Sequence, residues 1–176
     1  MAWTVPLTAV ANTVLSAGQW NASVRDNLLE TTPGKATTRG RIFVTSGTNK
    51  IAARAVEQHI VSNIETTTSL TYVDLDTLGP TVTLETGPQA IVWLTGSLQN
   101  SSTFQTFASY EISGAAAGDQ EAMLVDGGAA ANSPRCSVTN LQTIADPGIN
   151  SFTMKYRVGT ASTGLAWRRR ILVMGL

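Results

Sequence analysis

The 176-residue sequence is poor in the residue types that carry most catalysis and metal binding. It contains one histidine, His59, and one cysteine, Cys136. A structural zinc site takes four nitrogen or sulfur ligands, so these two residues cannot build one by themselves. A lone cysteine also excludes an intramolecular disulfide framework. The stability of the chain must therefore come from packing or from partner proteins.

Charge is also scarce, because only 14% of the residues are charged and the 12 basic residues balance the 12 acidic ones. Proteins that bind polyanions usually carry a basic surplus, so no nucleic-acid partner is predicted. The longest apolar runs, such as 90–94 and 171–174, are too short to cross a bilayer. The first residues also lack the pattern of a signal peptide. We therefore expect a soluble chain that binds neither nucleic acid nor membrane.

The few candidate catalytic and metal-binding residues have no motif around them. His59 lies in a β-prone segment without a partner motif, and a structural or solvent-facing role is expected. Cys136 follows Arg135, whose charge could lower the thiol pKa, but a small buried cysteine is the commoner case. Asp74 and Asp76 are too few ligands for calcium. The sequence also lacks the phosphate-loop and dinucleotide-binding motifs, and we predict no cofactor and no metal.

Three carboxylates are candidates for glycoside hydrolysis. Glu111, Asp119 and Glu121 surround a loop rich in glycine and alanine. Glycosidases use two carboxylates whose separation decides the mechanism, and the sequence does not fix that separation. A solvated loop is the favoured interpretation, and hydrolysis stays open as an alternative.

Most of the chain has the pattern of short β-strands. From residue 65 onward, β-prone runs alternate with turns rich in Gly, Pro, Asn and Asp. The predicted strands are 70–75, 81–86, 89–98, 103–112, 121–126, 136–144, 150–158 and 166–174. Regular short strands of this kind predict a mainly β protein, an antiparallel β-sandwich with a jelly-roll-like architecture.

Residues 1–34 have a different character from the predicted sandwich. Residues 2–15 have no helical period and contain Pro6 and scattered apolar side chains, which predicts an extended arm that lies on another surface. Trp3 is the candidate anchor in this arm.

A short amphipathic helix is predicted after the arm. Ser16 and Gln19 have the spacing of a capping box at its start, and Pro33–Gly34 is expected to end it. Trp20, Val24 and Leu28 follow at intervals of four residues and should form one apolar stripe. A helix with so narrow a stripe is marginal alone, so the three side chains are candidate anchor or interface residues.

The sequence thus suggests three regions. Residues 1–34 form an anchor, 35–64 a connector and 65–176 a sandwich head. Within the connector, residues 41–54 predict a β-hairpin, because two β-prone runs flank a turn in which Gly47 and Asn49 can take the required dihedrals.

A cluster of arginines near the C-terminus is the one local concentration of charge. With strict alternation, Arg168 and Arg170 lie on one face of a strand, and Trp167 and Arg169 lie on the other. Arginine favours fixed carboxylate partners, in this chain or a neighbouring one. All four residues are therefore candidate interface residues, and binding of an anionic glycan is the alternative.

Five phrases of the sequence together resemble a known group of proteins. They are W-N-x-x-V-R-D-N-L (20–28), G-R-I-F-x-x-S-G-T (40–48), E-T-T-T-S-x-x-Y-x-D-L (65–75), G-P-x-V-T (79–83) and N-S-F-T-x-K-Y-R-V (150–158). The combination is similar to small virion structural proteins, of the minor tail or decoration type, of actinobacterial tailed bacteriophages and prophages. The resemblance implies a non-enzymatic protein of the virion with no recognised active site.

An assembly role also agrees with the arm, the dependent helix and the lack of a catalytic motif. We expect a homotrimer that is anchored to another virion protein, in the capsid or the tail, through its N-terminal region. In a tail fibre the head could also bind a host cell-surface glycan, with Tyr110, Trp93 or the arginines as contacts. The alternative is a free carbohydrate-binding or glycan-hydrolysing β-sandwich domain.

Overall fold

The computed structural model describes residues 5, 7–8, 10–126 and 134–176. The chain divides after Ala55 into two compact units, and the terminal Leu176 groups with the first. The expected connector, 35–64, therefore spans the division: its hairpin belongs to the first unit, and its last strand belongs to the second.

The first unit begins with a helical segment whose capping box is confirmed. The Oγ atom of Ser16 accepts a hydrogen bond from the backbone N–H of Gln19 at 3.2 Å, and the Gln19 side chain accepts one from the Ser16 N–H at 2.9 Å. The segment consists of α1 (Ala17–Trp20), a π-helical turn (Asn21–Arg25) and α2 (Asp26–Leu29). Before it, the described residues of the expected arm form neither helix nor strand.

The prediction that Pro33–Gly34 ends this helix was wrong. The helix ends at Leu29, and both residues lie inside the next helix, α3 (Thr32–Lys35). Thr31 caps α3 by accepting the Gly34 N–H at 3.3 Å. Proline fits here because the first turn of a helix does not need its missing N–H.

The predicted hairpin of the first unit is confirmed. Its strands, β1 (Ile42–Gly47) and β2 (Lys50–Arg54), pair antiparallel from Ile42 opposite Arg54. Asn49 takes a φ of 55° in the turn, a left-handed conformation that asparagine tolerates better than most residues.

The second unit is an antiparallel β-sandwich, as the sequence predicts. Its strands are β3 (Val56–Val61), β4 (Glu65–Thr67), β5 (Thr81–Thr86), β6 (Gln89–Asn100), β7 (Gln105–Ile112), β8 (Met123–Asp126), β9 (Arg135–Thr143), β10 (Gly148–Val158) and β11 (Gly164–Gly175). One sheet has the order β5-β10-β7-β8, and the other has the order β3-β11-β6-β9, with β4 also pairing with β11.

The strand order is that of a jelly roll. When the short β4 is set aside, the eight remaining strands are arranged 1-8-3-6 in one sheet and 2-7-4-5 in the other. This pairing of two interlocked Greek keys characterises double-sheet jelly rolls. The first and last strands of the unit, β3 and β11, are therefore neighbours in one sheet.

Strand β10 shows how the sequence alternation builds the core. Phe152, Met154 and Tyr156 are fully buried between the sheets. Lys155 and Arg157 alternate with them and therefore point away from the core. Because β10 lies between β5 and β7, these two cations stand on the outer face of the four-stranded sheet.

The predicted strand at 70–75 was wrong. Only a single bridge forms there, between Val73 and Tyr156 of β10. The Oγ atom of Ser69 donates to the Thr71 carbonyl at 2.7 Å and accepts its N–H at 3.2 Å. Such local hydrogen bonds compete with the ladder of a sheet.

A β-bulge in β11 corrects the predicted faces of the arginine cluster. Trp167 pairs with Ser97 and Arg170 pairs with Thr95, so Arg168 and Arg169 stand together opposite the one intervening residue. Arg168 has a φ of 50°. The extra residue shifts the alternation by one position, and Arg169 is buried while Trp167 is only half-buried. The two residues do not share a face.

Arg169 is fully buried, and its guanidinium group is the hub of a network between the sheets. Its Nη2 atom donates to Glu65 Oε2 at 2.8 Å, and its Nη1 atom donates to the Gly79 carbonyl at 3.2 Å. The guanidinium lies 5.4 Å from the ring centre of Tyr156, whose hydroxyl donates to the same carbonyl at 3.2 Å. The network thus joins β4 and β11 of one sheet to β10 of the other.

The carboxylate of Glu65 has further partners that keep it charged. It accepts the backbone N–H of Thr77 at 3.1 Å and also the Thr77 hydroxyl. Burial raises the pKa of Glu65, but the hydrogen bonds from Thr77 and the charge of Arg169 outweigh burial and lower it overall. Gly79 has a φ of 84°, and a Cβ atom there would lie 2.6 Å from the Thr81 nitrogen, so this turn requires glycine.

The buried pair gives a first prediction. Arg169→Met should lower the free energy of unfolding by about 3–5 kcal/mol, because it leaves the Glu65 carboxylate buried without its cation. Arg168→Met is the matched control, since Arg168 is exposed, and should change it by less than about 0.5 kcal/mol. Urea unfolding followed by circular dichroism measures both.

The double variant Glu65→Leu/Arg169→Met tests the cause of that loss. It removes both charges and should be less destabilised than Arg169→Met alone, because no unpaired charge remains. Equal losses for the single and double variants would contradict the argument and point to lost packing.

Candidate functional site

The four-stranded sheet carries a surface groove with a volume of about 740 Å³. Its residues come from β7, from β10, from the segment before β5 and from the loop after β7. The lining residues are Leu70, Thr71, Tyr72, Glu111, Ala116, Ala117, Asp119, Lys155 and Arg157. The groove lies entirely within the second unit.

Arg157 is held in place from several sides at one end of this groove. Its Nη2 atom donates to Asp119 Oδ2 at 2.8 Å, and its Nε atom donates to Oδ1 at 3.1 Å. The guanidinium also lies 3.8 Å from the ring centre of Phe107 and 5.3 Å from that of Tyr72. Planar stacking and a two-pronged ion pair are both contacts that lysine could not make.

The hydrogen bond between Tyr72 and Asp119 shifts the pKa of both groups. The Tyr72 hydroxyl donates to Asp119 Oδ1 at 2.7 Å. This bond, with the hydrogen bonds and charge of Arg157, lowers the pKa of the Asp119 carboxyl. Burial, followed by the hydrogen bond to Asp119, raises the pKa of the Tyr72 phenol. At neutral pH the carboxylate is therefore ionised and the phenol keeps its proton.

Lys155 holds two further carboxylates at the other end of the groove. Its Nζ atom lies 2.7 Å from Asp74 Oδ2 and 3.3 Å from Glu111 Oε1. Burial lowers its pKa, but the hydrogen bonds and charges of the two carboxylates raise it overall. Its side chain is only 11% exposed, whereas that of Asp119 is 60% exposed. The cations thus form the floor of the groove and the carboxylates form its rim.

Two phrases singled out in the sequence meet in this groove. The phrase at 65–75 supplies Tyr72 to the lining and Asp74 as a partner of Lys155, and the phrase at 150–158 supplies Lys155 and Arg157. Sequence reasoning singled out Glu111 and Asp119 but did not place Lys155 and Arg157 beside them, because the two phrases lie about eighty residues apart along the chain. The clue that was available is the pair of cations alternating with apolar residues in β10.

The structure separates the members of the arginine cluster. Arg169 is fully buried and paired with Glu65 of the same chain, so its prediction as an interface or ligand contact was wrong. Arg168 is exposed, while Arg170 and Trp167 are half-buried. For these three residues a role at an interface or in ligand binding stays a prediction.

Two of the four candidate anchor residues, Trp20 and Leu28, are exposed. Trp20 is 57% exposed and Leu28 is 60% exposed, whereas Val24 is half-buried. The helical segment instead buries Asn27 and Glu30. Trp3, the remaining candidate, lies outside the described residues.

The geometry does not favour the carboxylates as a hydrolytic pair. Glu111 forms an ion pair with Lys155, and Asp119 forms one with Arg157. A catalytic acid needs a raised pKa, and that of Asp119 is lowered. Glu121 borders a separate hollow of about 300 Å³.

The remaining side chains singled out in the sequence are Tyr110, Trp93, His59 and Cys136. Tyr110, named above as a conceivable glycan contact, is buried, its hydroxyl donates to the Gln142 side chain at 3.0 Å, and it borders the hollow beside Glu121. Trp93 is half-buried on β6. The Nδ1 atom of His59 accepts the Thr81 N–H at 3.0 Å. Burial raises the pKa of the Cys136 thiol, which makes it less reactive.

Over the described ranges, no group of three or more His, Cys, Asp or Glu side chains is arranged to hold a metal ion. In the same part of the chain no helix is long and apolar enough to span a membrane.

Comparison with known proteins identifies no family. No family model matches the chain, and no curated protein matches it. Among solved structures, an exo-beta-1,3-galactanase from Phanerochaete chrysosporium, in a structure with galactose, has 13% identity and a TM-score of 0.32 over 70% of this chain and 30% of its own. A family two carbohydrate esterase from Cellvibrio japonicus has 12% identity and a TM-score of 0.27 over 70% of this chain and 34% of its own. The chain thus spans about a third of each.

The Tyr72–Asp119 bond gives a second prediction. Asp119 should titrate below the usual range of aspartate, and Tyr72→Phe should raise its pKa towards that range, since the hydroxyl is the largest cause of the shift. The interaction therefore stabilises the loop above the ordinary aspartate pKa and is lost as the pH falls through the lowered one. Carboxyl ¹³C NMR of the full chain measures the titration.

Tyr110→Phe is the control for this titration, because the Tyr110 hydroxyl bonds to Gln142 and not to Asp119. An Asp119 pKa that is the same in the Tyr72→Phe variant and in the wild type would contradict the assignment.

Proposed function

We propose that this chain is a non-enzymatic structural protein of a bacteriophage virion, anchored through its N-terminal unit, with the jelly roll as its head. The proposal includes a homotrimer and a place either in the tail or on the capsid as a decoration protein. The observation that carries it is that the described residues of the first unit form no apolar core.

Nearly all of the buried apolar side chains belong to the second unit. Among the described residues up to position 55, the only buried apolar side chain is that of Ala55. The same stretch leaves nine large apolar side chains exposed: Val5, Leu7, Val10, Val14, Leu15, Trp20, Leu28, Leu29 and Phe43. The first unit therefore exposes what a globular unit normally buries.

An exposed apolar surface of this kind needs a partner. Short helices are marginal in water, and packing of an apolar face supplies most of their stability. A lone hairpin such as β1–β2 is also marginally stable. Contiguous exposed apolar side chains mark surfaces that bind other proteins or membranes. Residues 1–55 carry six basic and two acidic side chains, so a neutral or acidic partner surface would complement this unit.

Other features support an assembly role. The phrases quoted above resemble small virion proteins, and jelly rolls are frequent in viral capsid domains. A closed trimer would let three copies of the first unit bury the same apolar side chains against one another. The lowered pKa of Asp119 and the raised pKa of the Cys136 thiol give no support to acid or nucleophilic catalysis.

The direct test is the copy number of the protein in purified phage particles, measured by quantitative mass spectrometry against the major capsid protein. We expect the protein to be present. A number close to that of the capsid protein would indicate decoration of the shell, and a small number would indicate the tail. Absence from the particle would overturn the proposal.

A third prediction concerns the oligomer. The purified chain should have a mass three times that of the 18.6 kDa monomer. Trp20→Ser/Leu28→Ser should weaken the trimer, because both apolar side chains are exposed in the single chain. Ile149→Ser is the control, since Ile149 is an exposed apolar residue of the second unit. Analytical ultracentrifugation measures all three, and a wild-type monomer would refute the trimer.

A further inference from the structure

We infer that the groove lined by Leu70, Tyr72, Glu111 and Lys155 binds a neutral sugar chain. The inference does not depend on where the protein sits in a virion, or on whether the N-terminal unit is an anchor. It goes beyond the proposed function because it assigns a ligand class to a groove whose residues only the tertiary structure brings together.

The size and lining of the groove fit a ligand of a few rings. Its volume of about 740 Å³ is within the range of small-molecule sites. Leu70 is exposed although it lies beside the groove, and Ala116 and the ring of Tyr72 complete an apolar side. A sugar ring has an apolar face of C–H groups that packs on such side chains.

The polar groups of the groove can form hydrogen bonds with the many hydroxyl groups of a sugar. Each hydroxyl can donate one hydrogen bond and accept others. The carboxylates of Glu111 and Asp119 are acceptors on the rim, whereas Lys155 and Arg157 are donors on the floor. A neutral sugar satisfies both sets, because its hydroxyls bond to either kind of group.

The charged side chains of the groove favour a neutral ligand over a charged one. The charged residues that line the groove are two carboxylates, Glu111 and Asp119, and two cations, Lys155 and Arg157, so its lining has no net charge. An anionic sugar would first meet the exposed carboxylates, which repel it. A cationic peptide would meet Lys155 and Arg157 beneath the rim. A neutral sugar chain is repelled neither by the carboxylates nor by the cations.

The groups of the groove are already fixed before a ligand arrives. Arg157 is stacked on two rings and bonded to Asp119, and Lys155 is held by Asp74 and Glu111. Binding would therefore order few side chains, and the entropy lost on binding is correspondingly small.

The test uses the full chain and saturation-transfer NMR, which detects weak ligands. The ligands are neutral trisaccharides of glucose, galactose, mannose, xylose, arabinose and N-acetylglucosamine, together with trigalacturonate and trilysine. We expect at least one neutral trisaccharide to bind. Glu111→Gln should weaken its binding at least about tenfold, as the loss of a charged hydrogen-bond acceptor predicts.

Glu57→Gln is the matched control, because it removes an exposed carboxylate from β3 in the other sheet and should leave binding unchanged. Leu70→Ser tests the apolar side separately and should also weaken binding. Circular dichroism melting shows that each variant is folded, and the Glu111→Gln variant still has Asp74 as a partner for Lys155.

Three results would overturn the inference: no neutral trisaccharide binds at millimolar concentration, only trigalacturonate or trilysine binds, or Glu111→Gln binds as tightly as the wild type. The third result would place the sugar elsewhere on the chain. None of them bears on the copy number in particles or on the mass of the oligomer, so the sugar site and the structural role can fail independently.

Discussion

The guanidinium group of Arg169 is the point on which the second unit depends. A charge without water must have partners, and Glu65, the Gly79 carbonyl and the ring of Tyr156 provide them. Glu65 and Gly79 bracket the irregular segment that carries Tyr72 and Asp74, and the buried network therefore fixes both ends of one groove wall. An ion pair in the core thus positions charged side chains on the surface.

The two units are stabilised by different means. The jelly roll buries long apolar rows, such as Phe152, Met154 and Tyr156 of β10, between its sheets. The first unit instead has capping bonds around Ser16 and Thr31 and a small hairpin, and nine large apolar side chains of its described residues are exposed. The second unit therefore has an apolar core of its own, whereas the described part of the first unit has little buried apolar surface.

Charged residues are rare in this chain, but several of them cluster at the groove. With 14% charged residues, most of the surface is neutral, yet Asp74, Glu111, Asp119, Lys155 and Arg157 all meet at one place. Stacking on Phe107 and Tyr72 and the paired hydrogen bonds hold these groups in a single arrangement. These ring contacts and hydrogen bonds fix the polar groups before any ligand binds, and this preorganisation supports assigning the groove a ligand.

Local pattern determined the strands from residue 81 onward, where the hairpin turns and where the first helix begins, because alternation, turn residues and capping depend on near neighbours. It did not give β3 or β4, and β3 lies in the segment expected to be a connector. It failed at 70–75, where side-chain hydrogen bonds replace the ladder, and at Trp167, where a bulge shifts the alternation. Which strands pair, why Arg169 is inside and how Tyr72 reaches Arg157 are contacts between residues far apart in the chain. Only the tertiary structure could decide them, because the energy of such contacts appears only when the sheets close.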